Sequence, residues 1–199
     1  MNKFLRFIIK LVDVVFSVNL RGIHMSRNES GYYQSYFKPT NPKKCINLNM
    51  VESFSGISNA NLKKDSFGKP PFARSSYESR MFTWLDLNKN VVSWGSEIIM
   101  VEYINDNDRK LHKYWLDIYM EMRHSDGIIR KHIVEIKPKK KMIPPKLPKN
   151  KTKKAMFNYE MAMAEYVQNQ SKWKFAKRWS DSNNMVFSVV TEEELLGAK

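Results

Sequence analysis

The chain has one cysteine, Cys45, in 199 residues. That excludes an intramolecular disulfide and any cysteine-rich zinc cage, and it fits a reducing cytoplasm. The four histidines, at 24, 112, 124 and 132, lack the H-x-x-x-H spacing that would set two imidazoles on one helix face around a metal ion. They read as surface or strand residues. No uninterrupted apolar run approaches the ~18 residues of a membrane span. There are no internal repeats. Acidic residues are missing altogether from 137 to 154, a stretch holding nine lysines at 137, 139, 140, 141, 146, 149, 151, 153 and 154.

What remains is a globular chain with an uneven charge. Its hydrophobic fraction of 42% and aromatic fraction of 13% suit one domain with a real core plus appendages. The net charge is +14, and taking away the nine lysines leaves +14 − 9 = +5 for everything else. A concentrated positive region suits a polyanion, because phosphate neutralisation releases counterions and gives affinity independent of sequence. Arg74, Lys139, Lys140, Lys141 and Lys172 are the candidates to grip a DNA backbone. Trp94 and Trp173 read as packed rather than stacked on bases.

Three segments are expected. Residues 1–24 place Lys3, Arg6, Lys10, Asp13 and Ser17 on a narrow polar stripe of an otherwise apolar helix. Asp13 and the missing small-residue cleavage site argue against a secretory signal. Two readings stay open: an amphipathic anchor for a membrane or partner surface, with membrane contact the weaker choice, or a true start at Met25. Residues 25–72 are rich in turn formers and read as an irregular arm with aromatic anchors at Tyr32, Tyr33, Tyr36 and Phe37, wrapping its own domain or a partner. Residues 73–199 read as the compact domain.

Within that domain the spacing predicts a helix from Ser75 or Ser76 to about Leu87, opened by the capping box Ser75-x-x-Glu78. Val91 to Ile104 reads as one bent strand broken at Gly95. Leu111–Arg123 and Ile128–Lys137 read as two more strands, each buried on one face and functional on the other. The prolines of 138–154 prevent regular structure there, so the Lys/Pro loop is expected to be extended and mobile. Helices over Ala155–Tyr166 and about Ser171–Trp179, a strand over Met185–Val190 and a terminal helical stub complete the order α-β-β-β-α-α-β. The expected class is α+β, an α/β sandwich with a central mixed sheet flanked by helices and an extended N-terminal arm.

The chemistry concentrates at one hairpin. Asp117 lies nine residues before Asp126, and Glu135 lies nine after it. A three-residue loop Ser125-Asp126-Gly127, with Gly127 in the left-handed region, sets Asp117 opposite Glu135. Facing carboxylates repel, and a cation between them turns repulsion into binding. Lys137, two residues beyond Glu135, leaves the same face of its strand. Mg²⁺, with Mn²⁺ as substitute, needs only two carboxylates and a backbone carbonyl, here that of Ile136. Such a centre can hydrolyse phosphodiesters. Lys137 would hold or deprotonate the attacking water and stabilise developing charge. Glu78 could reach the centre as a further ligand or an orienter. Ser96-Glu97 could line the site, or Glu97 could cap the bulge.

These residues resemble the PD-(D/E)xK nuclease superfamily, and within it the head-completion nucleases of T-even-type tailed phages, relatives of the endonuclease subunit of Tn7-type transposons. The matching blocks include Tyr36-Phe-Lys-Pro-Thr-Asn-Pro, Arg74-Ser-Ser-Tyr-Glu78, Val92-Ser-Trp-Gly-Ser-Glu97, His112-Lys-Tyr-Trp-Leu-Asp117, Val134-Glu-Ile-Lys-Pro138 and Asn169-Gln-Ser-Lys-Trp173. Coverage is about 36–196. Residues 1–25 have no counterpart, and 46–70 look like an enlarged insertion. The resemblance implies a restriction-endonuclease-like core with Glu78, Asp117, Glu135 and Lys137 at the acidic and lysine positions. It also implies a metal-dependent deoxyribonuclease that cuts duplex DNA at the genome end, endo- or exonucleolytically, while the filled head is completed and joined to a tail. Portal and neck proteins would be its partners. The host cytoplasm during assembly, and then the virion head–neck region, would be its place. A catalytically inactive DNA-binding neck adaptor and a transposon or restriction-type endonuclease are the alternatives.

Overall fold

A computed structural model describes residues 34–54 and 57–196. The readings made for 1–24, for Tyr32 and Tyr33, and for the choice between Met1 and Met25 lie outside the described residues. In chain order the elements are β1 (Ser35–Tyr36), β2 (Phe72–Ala73), α1 (Ser76–Leu87), β3 (Val91–Ser96), β4 (Met100–Ile104), β5 (Leu111–Trp115), β6 (Ile118–Arg123), β7 (Ile129–Ile136), α2 (Lys153–Ser182), β8 (Met185–Val190) and α3 (Glu192–Leu196). Single 3-10 turns punctuate 42–66, and another spans Lys139–Lys141.

The centre is a four-stranded mixed sheet in the order β3-β6-β7-β8, antiparallel except for the parallel β7–β8 pair. β4 and β5 form a separate antiparallel ribbon. One face of the sheet packs Ile118, Met120, Val134 and Ile136 against Met81, Phe82, Trp84 and Leu85 of α1. The other packs Tyr119 and Ile133 with Ala176 of α2 and with Tyr103, Tyr114 and Leu116 of the ribbon. The fold is therefore the expected α/β sandwich, with helices on both faces of a mixed sheet.

Four expectations need correcting. The strands around Asp117 and Glu135 were expected to be open on one face. Both faces are covered instead, and the last five residues of β7, His132 to Ile136, are all buried. The expected bent strand 91–104 is two strands in two sheets, and the break falls at Glu97, with φ 50°, rather than at Gly95. The expected strand 111–123 also divides, between Trp115 and Ile118. The two breaks oppose each other: the Glu97 N–H donates to the Asp117 carbonyl at 3.0 Å, and the Leu116 N–H donates to the Ile99 carbonyl at 2.9 Å. A two-stranded ribbon thus leaves the sheet by kinking both strands at one level, without losing hydrogen bonds there. The fourth correction is in α2, one helix of 30 residues where two were expected. Asn169 and Ser171, which look like a break, are buried, and Ser171 Oγ donates to the Asp106 carboxylate at 3.1 Å. The Asp106 partner of Ser171 and the burial of both residues against the rest of the domain override their weak helix preference.

The described part of the arm wraps its own domain. Cys45 is fully buried and bridges Trp94 of β3, and Phe37 packs edge-on to Phe82 and Trp94. Asp86 of α1 anchors it, accepting from the Thr40 N–H at 2.7 Å and the Asn41 N–H at 3.1 Å. Residues 142–152 hold no helix or strand, but the expected Lys/Pro loop ends earlier than read, because α2 begins at Lys153 with Thr152 as its cap. Trp94 and Trp173 are buried, as packed residues.

Candidate active site

The β6–β7 hairpin has the register the sequence predicts. Ile118 faces Val134 and Met120 faces His132, a register that carries Asp117 to Glu135. Gly127 has φ 80°, and its N–H donates to the His124 carbonyl at 2.9 Å. A residue with a side chain would be strained there.

Glu135, on the penultimate residue of β7, is 1% exposed. A buried carboxylate needs hydrogen bonds and a countercharge. It has both: the Tyr114 hydroxyl donates to one oxygen, and the Lys137 ammonium lies 3.1 Å from the other. Asp117 sits at the kink, half-buried, where its carboxylate accepts the Ile136 N–H at 2.9 Å. Burial raises the Asp117 pKa well above the usual carboxylate range. Repulsion from Glu135 adds to this, and Lys137 and the Ile136 N–H oppose it. For Lys137, burial acts to lower the pKa, but the Glu135 and Asp117 carboxylates outweigh it and the net shift is upward. Two acids and one ammonium therefore share a poorly solvated corner, each one's charge biasing the others.

A fourth group belongs here. Lys172, on α2, has its ammonium 5.3 Å from the Tyr114 ring centre and 6.0 Å from that of Tyr103. Its pKa is lowered by burial first and then by Lys137, against the pull of Glu135 and Asp117. The sequence marked Lys172 for a DNA backbone; the fold sets it beside the carboxylates. Tyr114 was missed. Alternation along an unbroken strand would put Tyr114 on the face opposite Asp117, so no sequence signal marked it; the break between Trp115 and Ile118 brings its hydroxyl to Glu135.

Glu78 is not gathered into the cluster. Its carboxylate closes the capping box of α1, accepting from the Ser75 hydroxyl at 2.9 Å and the Arg74 N–H at 2.9 Å, while its own N–H donates to Ser75 Oγ at 3.2 Å. It is near enough for Lys137 to feel its charge. Arg74 pairs with Glu97. Glu97 also takes Lys63 at 3.0 Å, so it is the hub of an ion-pair network at the kink. Of the lysines expected on DNA, Lys139 pairs with Glu193 at 2.8 Å and Lys141 pairs with Glu165. Lys140 is exposed and forms no ion pair among the described residues.

The donor set suits a hard divalent cation. Two carboxylate groups converge from neighbouring chain segments, Asp117 is destabilised as an anion by Glu135, and the Ile136 carbonyl is adjacent in sequence to Glu135. No cluster of three or more His, Cys, Asp or Glu side chains occurs among the described residues, so such an ion would keep waters in its remaining positions.

A family model described as TnsA-like endonuclease N terminal matches residues 88–192. The chain belongs to the TnsA-like endonuclease family. The matched segment holds Asp117, Glu135, Lys137 and Lys172, and begins after Glu78. The head completion nuclease of Enterobacteria phage T4 is 32% identical over 122 residues, which cover 61% of this chain and 79% of that protein. No solved structure matches. No helix among the described residues is long and apolar enough to cross a membrane.

Proposed function

We propose that this chain is a Mg²⁺-dependent deoxyribonuclease that cuts duplex DNA at the genome end during completion of a phage head, before a tail joins. That it is a nuclease follows from its family. The observation that supports the finer reading is the meeting of Asp117, Glu135 and Lys137 at the end of β7, with an ammonium 3.1 Å from a buried carboxylate.

Asp117 and Glu135 would hold the ion, with the Ile136 carbonyl as third oxygen. When bound, it supplies charge neutralisation at the scissile phosphate and lowers the pKa of water. The chain's own groups do the rest. Tyr114 fixes the Glu135 carboxylate through its hydroxyl. The Ile136 N–H fixes Asp117. Lys137 and Lys172 place two ammonium groups where a pentacovalent phosphate accumulates negative charge, the electrostatic contribution that usually dominates such catalysis. The P–O bond to the leaving strand breaks as a water oxygen bonds to phosphorus; the water gives up one proton to solvent, and the leaving alkoxide takes one back from solvent. The likeness to the T4 head completion nuclease supports a role in completing the head; the proposal adds the host cytoplasm and the head–neck region as its place and portal and neck proteins as its partners.

The test is nicking of supercoiled plasmid by the purified chain with Mg²⁺ or with excess chelator. Cleavage with Mg²⁺ only, abolished in Asp117→Ala and in Lys137→Ala proteins that keep their circular dichroism, is the expected result. Cleavage by both variants at the wild-type rate would remove this mechanism. Phage carrying Asp117→Ala should accumulate filled heads without tails.

A further inference from the structure

The described parts of the segment 46–70, which looks like an insertion beside the resembled nucleases, are 46–54 and 57–70, and they fold back over the kink. With Tyr36, Phe72 and Arg74 it encloses a polar cavity of about 220 Å³. The back wall is fixed: Asn47 Nδ2 donates to the Ser66 and Ser96 carbonyls at 3.0 and 2.9 Å, and Asn47 Oδ1 accepts the Ser96 N–H at 2.8 Å. Glu97, in the left-handed backbone region, holds the Lys63 ammonium at 3.0 Å and the Arg74 guanidinium. A non-glycine residue in that region costs energy and persists only where its surroundings insist on it. The wall also carries Asp65 and Lys69, and Lys69 forms no ion pair among the described residues, so with Lys63 and Arg74 against Asp65 and Glu97 the lining has one positive charge in excess. At the rim the Tyr36 and Phe72 rings meet edge-to-face at 5.1 Å, yet remain 65% and 38% exposed.

An exposed aromatic pair beside an unpaired ammonium is the equipment for one base and its phosphate: the ring face stacks, the cation takes the oxygen. The volume lies below the roughly 300–1,000 Å³ of ordinary small-molecule pockets, so one nucleotide fits and a base pair does not. The location is equally specific. The Glu97 N–H donates to the Asp117 carbonyl, so one wall residue of the cavity is hydrogen-bonded to the backbone of a candidate active-site residue, and the cavity adjoins that site across the kink. We propose that this cavity is a subsite for one unpaired nucleotide of the DNA substrate, held by Lys69 and stacked on Phe72 and Tyr36. The inference rests on the nuclease reading above and adds a preference for DNA with an unpaired end or a turned-out nucleotide.

The experiment uses the full chain in chelator, where no cutting occurs, and a short duplex with 2-aminopurine either in a single-nucleotide overhang or inside the last base pair of a blunt end. Binding should quench the overhang probe and leave the paired one unchanged, and the overhang duplex should bind about tenfold tighter. Phe72→Ala and Lys69→Glu should each remove most of that quenching and at least fivefold of the overhang affinity. Both positions are exposed, so loss of fold is not the expected cause; unchanged circular dichroism checks it. Equal affinity for the two duplexes without quenching, or variants that quench like wild type, would overturn the subsite. Loss of Mg²⁺-dependent plasmid nicking with the quenching intact would instead overturn the nuclease reading and leave an end-binding protein.

Discussion

The Asp117 carboxylate accepts the main-chain N–H of Ile136 at 2.9 Å, bridging the place where its own strand is broken. One side chain therefore does two jobs: it restores a hydrogen bond that the kink would forfeit, and it points an acid at Glu135. The two jobs separate by substitution. Asp117→Asn keeps an oxygen for the Ile136 N–H and loses the repulsion with Glu135, so it should unfold at no lower urea concentration than wild type. Asp117→Ala leaves a buried N–H without a partner, at a cost of about 1–3 kcal/mol. Both should nick DNA at least a hundredfold more slowly. Equal stability of the two variants would show that the bond to Ile136 contributes nothing.

Tyr114→Phe isolates the hydroxyl, because the ring that faces Lys172 stays. The buried Glu135 then keeps Lys137 as its ion-pair partner but loses the hydroxyl, and losing a hydrogen bond to a charged group should cost about 1.5–3 kcal/mol of stability. Catalysis should slow about tenfold through a mispositioned carboxylate, with KM for DNA unchanged, since Tyr114 positions Glu135 and does not touch the phosphate. A rise in KM with kcat intact would place Tyr114 on the DNA instead.

The hairpin was legible because its register is set locally, by a three-residue loop, Gly127 and alternating side chains, and these carry Asp117 to Glu135 without tertiary information. The kink was not. Leu116 and Ile118 continue an apolar alternation through the break, and Glu97 is no ordinary choice for a left-handed residue; only the Lys63 and Arg74 partners, distant in sequence, make it hold. For the same reason Lys172 could be marked as basic but not placed beside the carboxylates, since a 30-residue helix that ignores Asn169 and Ser171 is what delivers it. Both faces of β7 being covered depends on the β4–β5 ribbon and α2, contacts that periodicity along one strand cannot report.

Gly95 tests the packing beneath the kink. A Cβ there would lie 2.8 Å from Ile98 Cδ1, 3.2 Å from Ile98 Cγ2 and 3.3 Å from Asn47 Oδ1. The Ile98 tip can yield, but Asn47 is tied by three hydrogen bonds. Gly95→Ala should therefore cost about 1–3 kcal/mol by overpacking. Ile98→Val, which removes the Cδ1 atom, should relieve part of it, so the double variant should be more stable than the sum of the single changes, a coupling of about 0.5 kcal/mol or more. Strict additivity in urea unfolding would mean that the cost comes from Asn47 and from Ile98 Cγ2, which valine keeps, and not from Cδ1.

His132 makes a separable contribution to the pH dependence of folding. It is fully buried on β7, its ring stacks on His124 with the Nε2 atoms 2.9 Å apart, and its Nδ1 has no hydrogen-bond partner among the described residues. Burial first, then the charges of His124 and Arg130, lower its pKa from 6.5 to about 4. A depressed histidine pKa means that the unfolded chain binds a proton which the folded chain refuses. Stability should thus be full above pH 6.5, fall as the pH drops from 6.5 towards 4, and take no further loss from this group below that. Removing the whole shift corresponds to about 3 kcal/mol. Carboxylates titrate in the same window, so the comparison must be with His132→Leu, which abolishes this contribution and leaves theirs. Urea midpoints of the two proteins, measured from pH 7.5 down to 4.5, should converge or cross as the wild type loses stability faster. Parallel curves would show that the imidazole takes up its proton in the folded chain as readily as in the unfolded one.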